Sequence, residues 1–196
     1  IQNSIRPIAN LALIGDNDIA QVADLATNIM AGYNIDTRSM PQVADVIAST
    51  ISRSNVNIIE TAESFKMAAG SLRLAGIDFT EASAAIGLLG NAGIKGTMSG
   101  TSLRSIVQRL AYQPKEAREI LNKLGVSFTH WVDEFGIRKE KIRPLADIFE
   151  DLYKKGATLG DMQKIFHRTS ANAAMQLAVN HKDLRRDTAS HRASHG

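Results

Sequence analysis

Residues 80–110 read TEASAAIGLLGNAGIKGTMSGTSLRSIVQRL, and the fold is decided there. The first half carries Ala82, Ala85, Ile86 and Leu89 on one helical face. The second carries Leu103, Ile106, Val107 and Leu110 at the same i, i+3, i+4, i+7 spacing. Each half is therefore a helix with an apolar stripe to bury. Asn91-Ala92-Gly93-Ile94 between them is a stop signal. Glycine takes the left-handed conformation that closes a last turn, and the apolar residue after it folds back onto that turn. Gly96, Ser99, Gly100, Thr101 and Ser102 then read as turn and N-cap chemistry for the second helix.

The device of glycine followed by an apolar residue recurs at Gly76-Ile77 and Gly125-Val126, and the spacing extends it to Gly32-Tyr33. Repeated stops of this kind mean antiparallel helices joined by short corners, without a solenoid period. Working outward, Ile5–Ile14 is a short apolar segment whose Pro7 suits only a first turn. Asp18 and Gln21 form a capping-box pattern before Val22, Leu25, Ala26 and Ile29, with Gly32 closing that helix. Pro41 opens a helix lined by Ala44, Ile47, Ala48 and Ile51. Asn57 and Glu60 cap one lined by Ile58, Ala62, Phe65 and Ala69. Pro114 and Pro144 open two more. Thr158 with Asp161 caps another, and Thr169 or Ser170 starts the last, with Ala171, Ala174, Met175 and Ala178 inside.

Residues 126–143 break the helical period. Val126, Phe128 and His130 alternate with Ser127 and Thr129, a turn is signalled between Asp133 and Gly136, and Ile137–Ile142 returns. This predicts a small β-hairpin or extended clip. The only tryptophan, Trp131, lies in it. The expected fold class is thus all-α: a compact domain of about eight helices over residues 1–180 with one small β element. After Asn180 the apolar period stops, so residues 181–196 read as a basic tail or a linker.

Composition agrees. The chain has 196 residues, 44% of them hydrophobic but only 5% aromatic, which favours helices packed through small side chains. There is no cysteine, which excludes disulfides and thiolate chemistry. Net charge is +3, and HKDLRRDTASHRASHG at 181–196, with four Lys/Arg against two Asp, supplies +2 of it. The body is nearly neutral and does not demand nucleic acid. No apolar run approaches the roughly 18 residues of a membrane helix. The first residue is Ile1, which reads as a processed chain or an excised piece of a longer one.

No catalytic motif stands out: there is no G-x-S-x-G, H-E-x-x-H or P-loop. No cofactor or metal is expected. His191 and His195 are spaced i, i+4 as a metal pair, with His181 upstream, but the tail gives no reason for a stable helix. Gly96–Ser102 is the best anion-binding candidate, against an ordinary N-cap corner. Arg104, Arg109, Glu140, Lys141 and Arg143 are candidates for a basic patch without aromatic interleaving.

One stretch after another resembles a family. Gly76-Ile77, AIGLLGNAGIKG at 85–96, Gly100-Thr101-Ser102-Leu103-Arg104-Ser105, Lys123-Leu124-Gly125-Val126, Arg143-Pro144-Leu145 and Ile165-Phe166, in that order over residues 10–180, are similar to the core domain of tailed-phage tape measure proteins. The family's usual Asp-Gly turn before the Arg-Pro-Leu is replaced by a longer connection from His130 to Lys141, with Gly136 at the turn.

The resemblance implies a structural piece of a long helical protein inside the tail tube, not an enzyme. It implies roles in tail length, tail assembly and passage of DNA. The implied location is the virion, with host cytoplasm during assembly. The implied partners are tube and tail-tip or baseplate proteins, assembly chaperones and further copies of itself, a trimer being plausible by analogy. Ile94, Lys95, Gly96, Arg104 and Trp131 are the candidate interface. Two other classes stay open: a nucleic-acid-binding module using Arg104, Arg109 and the basic tail, and a cell-wall-degrading enzyme with Glu134 or Glu140 near Trp131.

Overall fold

The computed structural model describes residues 2–15 and 17–193. It contains eleven α-helices among the described residues, with a single two-stranded antiparallel sheet between the seventh and eighth. The all-α class with a small hairpin is therefore what the chain adopts.

Helix α5 (Phe79–Asn91) is the centre. Every residue from Phe79 to Gly90 is buried, so this helix has no solvent face. A helix buried on every side must be covered all round, and its few polar side chains, Thr80, Glu81 and Ser83, must find partners there. Here α3 (Met40–Arg53), α4 (Ile58–Leu74), α6 (Gly96–Ala111), α10 (Ala171–Val179) and α11 (His181–Ala193) cover it. Gly87 and Gly90 allow the closest approach. A Cβ on Gly87 would stand 2.9 Å from the Ser54 hydroxyl, and one on Gly90 would overlap Val56.

The glycine stops work as read. Gly76, Gly93 and Gly125 have φ of 76°, 79° and 66°. The amides of Ile77, Ile94 and Val126 reach back to the carbonyls of Leu72, Leu89 and Leu121 at 2.9–3.0 Å. Gly32 does not follow them. It lies inside α2 (Ile19–Tyr33), against Ala69 of α4, and Asn34 takes the left-handed position instead. Asparagine tolerates that conformation, and the α2–α4 crossing needs a residue without a side chain. Pro7 also departs from expectation, falling inside α1 (Gln2–Gly15). It costs that helix one i→i−4 bond.

Residues 96–102 are the largest local difference. α6 begins at Gly96 itself, so Ser99, Gly100, Thr101 and Ser102 are helical rather than a capping corner. Tertiary packing explains their type. The Ser64 hydroxyl donates to the Gly96 carbonyl at 2.9 Å, and a Cβ on Gly100 would collide with the Ser64 carbonyl. Gly96 and Gly100, one turn apart, form a flat strip on which α4 lies. Ala111, at the other end of α6, borders Leu74–Gly76 at the end of α4, so the two helices run side by side in the same direction.

The remaining helices are α7 (Lys115–Leu124), α8 (Leu145–Lys154) and α9 (Leu159–Phe166). Phe166 of α9 stacks on Phe128 and Phe149, joining this half to the base of the ribbon. Strands β1 (Thr129–Glu134) and β2 (Ile137–Ile142) form the expected hairpin. Its turn is Phe135-Gly136, both with positive φ.

Residues 181–193, expected as a tail or linker, are instead α11. Helix α11 packs on α5 and α8 with His181, Leu184, Thr188 and His191 buried. Its inward stripe is mostly polar, so an apolar period did not reveal it. Residues 194–196, including His195, lie outside the described residues.

Candidate functional site

The five candidate interface residues do not form one surface. Ile94 is core, buried by the turn it closes. Lys95 is half-buried, its ammonium 3.8 Å from the Glu60 carboxylate. Gly96 has φ +54°, and a Cβ there would stand 2.5 Å from the Glu63 carboxylate. That acidic group is where a bound anion would have to be, so the start of α6 already faces negative charge from its own chain. Arg104 lies two turns along α6. Trp131 is on the ribbon, whose base borders Ala111 at the far end of α6, and α6 itself is roughly 22 Å long at 1.5 Å per residue.

The basic patch is dispersed as well. Arg104 and Arg109 are five residues apart on one helix, about 140° around its axis. Arg143 is held by Asp151 at 2.8 Å and by the Ser127 carbonyl at 2.7 Å. Lys141 pairs with Glu134 at 2.8 Å.

On the ribbon, Trp131 is 58% exposed and stacks under the Arg138 guanidinium, 5.2 Å from the ring centroid. Glu140 stands across the strands from it and accepts from the Thr129 hydroxyl at 2.5 Å. Glu134 is on the opposite face, and hydrogen bonds from Lys141 and Lys139 hold its carboxyl below the usual range. A general acid needs the reverse shift. Of the two alternative carboxylates for cell-wall cleavage, Glu140 shares the face of Trp131, while Glu134 lies on the other face and is tuned away from that role.

The most perturbed titratable group lies elsewhere. Glu81, 5% exposed in the first turn of α5, accepts from the Leu145 amide at 2.6 Å and so caps α8. Burial pushes its pKa up to about 7, with Asp78 adding to the rise. Asp78 caps α5, accepting from the Glu81 amide and the Thr80 hydroxyl, and receives Arg192 of α11 at 2.5 Å. Burial raises Asp78, but hydrogen bonds from Thr80, Glu81 and Arg192 outweigh that and hold it below its ordinary value. The buried Tyr33 hydroxyl is raised mainly by burial, then by the two carboxylates. His191 Nδ1 lies 3.2 Å from the Thr80 carbonyl.

This cluster locks α11 and α8 onto the start of α5. In the sequence its only trace was an Asp and a Glu three residues apart at a helix start, the ordinary sign of a cap. Among the described residues no group of three or more His, Cys, Asp or Glu could hold a metal ion, and no helix is long and apolar enough to cross a membrane.

Comparison with known proteins gives one consistent answer. The profile of the family described as phage-related minor tail protein matches residues 1–178. A tape measure protein of Pneumococcus phage Dp-1 is 29% identical over 128 residues, covering 65% of this chain and 11% of its own length. A probable tape measure protein of Escherichia phage P2 is 24% identical over 206 aligned positions, covering all of this chain and 24% of its own length. The chain thus spans between a tenth and a quarter of these curated relatives. No solved structure is significantly similar.

Proposed function

Because the chain belongs to the family of phage-related minor tail proteins, we propose that it is a structural and assembly module of a tail tape measure protein. The observation that carries this reading is the family match over nearly the whole chain, joined by two relatives named as tape measure proteins. The domain of the tape measure core type runs from the first helix through α11, and its role is architectural rather than catalytic. It contributes to tail length, to assembly around the growing tube and to the passage of DNA. Its partners are tube proteins, tail-tip or baseplate proteins, assembly chaperones and other copies of the same protein. It resides in the virion tail after assembly in the host cytoplasm.

A compact helical body with a small-residue core suits this role physically. Closely packed helices give a rigid unit with defined faces, and specific contacts with neighbouring subunits need such a unit. The test is an in-frame deletion of this domain from the parent gene in a phage that carries it. The expected result is absent tails or tails of altered length by electron microscopy. Normal tails, normal length and normal infectivity would overturn the proposal.

A further inference from the structure

The ribbon has two unlike edges. β1 and β2 pair only with each other, so each presents an open outer edge among the described residues. An isolated two-stranded ribbon is marginal in water, and open edges are templates for another strand. The hydrogen-bond phase is set by the Arg143 amide, which donates to the Phe128 carbonyl at 2.9 Å. Pairs 128–143, 130–141, 132–139 and 134–137 are then the bonded ones. The backbone amides of Trp131 and Asp133 on β1, and of Arg138 and Glu140 on β2, point outward.

The charges on the two strands are opposite. β1 reads THWVDE, with Asp133 and Glu134; β2 reads IRKEKI, with Arg138, Lys139 and Lys141 against Glu140. Within the chain the two strands already match, with Asp133 opposite Arg138 and Glu134 bonded to Lys139 and Lys141. Beside β2, between its end and Leu74–Gly76 with Ala111, lies a cleft of about 460 Å³. Leu74 in its lining, and Trp131, Phe135 and Ile137 farther along the ribbon toward its turn, are 58–100% exposed. Phe135 also holds φ +54°, which favours Asn or Gly, so the turn keeps an exposed ring at the cost of strain.

We propose that the outer edge of β2 receives the outer edge of β1 from a second copy of this chain, antiparallel and in the register already used within the chain. Asp133 of the second copy then lies opposite Arg138, and its Glu134 comes within reach of Lys139. The second copy is the occupant because its β1 is the one strand chemistry that β2 is seen to accept. Pairing β2 with β2 brings three cations for each carboxylate to both strands, and even the register that sets Arg138 against Glu140 puts Lys139 against itself, which cross-strand repulsion disfavours. The contact is heterologous, so it adds further copies until the rotation closes a ring. The inference stands on the ribbon alone, so its failure leaves the tail assignment untouched.

The test is hydrogen exchange on the 196-residue chain at rising concentration and low salt, with mass followed by light scattering. The expected result is growth in mass, reversed by salt. With it, the amides of Arg138, Glu140, Trp131 and Asp133 gain protection, while those of Lys139 and Lys141 are protected at every concentration. Glu140→Pro removes one outward amide and none of the backbone bonds within the ribbon, losing there only the Glu140 side chain's bond from the Thr129 hydroxyl, and is expected to stay monomeric. A chain monomeric at its highest soluble concentration, association without the alternating protection, or association of Glu140→Pro equal to the parent would each overturn the proposal.

Discussion

Glu81 makes folding stability depend on pH in an unusual direction. An ordinary glutamate titrates near 4.5, and in the folded chain this one titrates near 7. Between those values the folded state binds more protons than the unfolded state, so stability falls as pH rises through that window. The groups facing it are Asp78 at the cap of its own helix, Tyr33 on α2, Arg192 on α11 and the amides at the start of α8, while His191 of α11 lies against the neighbouring Thr80 carbonyl. The rise from 4.5 to about 7 corresponds to roughly 3 kcal/mol. In a domain of this size that is about 2–4 °C in Tm per kcal/mol.

The assay is urea and thermal unfolding at fixed ionic strength from pH 5 to pH 8. The expected outcome is greatest stability near pH 5 and a decline toward pH 8. Asp78, held below its ordinary value, works the other way. It contributes stability above about pH 4 that is lost on further acidification, outside this window. Glu81→Gln keeps an oxygen for the Leu145 amide and removes the charge. It should flatten the profile and raise stability at pH 8. A parent protein equally stable at pH 5 and pH 8, or a Gln variant with the parental slope, would refute the reasoning.

Three further outcomes are expected. Gly100→Ala should lower stability by at least about 1–3 kcal/mol by forcing α4 off α6, whereas Gly70→Ala, where a Cβ meets nothing, should be neutral or stabilising by up to about 1 kcal/mol in the same melts. Phe166→Ala should cost about 3–5 kcal/mol, because it empties the stack with Phe128 and Phe149. Phe135→Asn should relieve the left-handed turn by about 1 kcal/mol and raise amide protection within the ribbon while leaving the global melt unchanged.

The helical class, the corners and the ribbon were legible because their causes are local. A glycine stop acts within six residues, as at Leu89 to Ile94, and a capping box within four, as at Asn57 and Glu60, where both reciprocal bonds form. Alternation at 126–142 marked a strand pair for the same reason. The candidate interface was not legible as one surface, because adjacency in sequence put Ile94–Gly96 near Arg104 while burial withdrew Ile94 into the core. The sequence placed Trp131 in the ribbon, but its exposure and the edges that flank it became visible only once the register was known.

By itself, then, the sequence determined the helix stops at Gly76, Gly93 and Gly125, though not at Gly32, the apolar stripe of most helices before residue 181, and the family to which the chain belongs. Tertiary structure alone decided what the small residues and buried charges are for. Gly96 and Gly100 resemble a turn until α4 is laid across them. The polar stripe of α11 resembles a tail until Asp78 and Thr80 supply partners for Arg192 and His191. The physical reason is that close approach and charge compensation are properties of pairs far apart in the chain. His191 and Thr80 are 111 residues apart, and no local pattern can encode a contact whose second half lies at that distance.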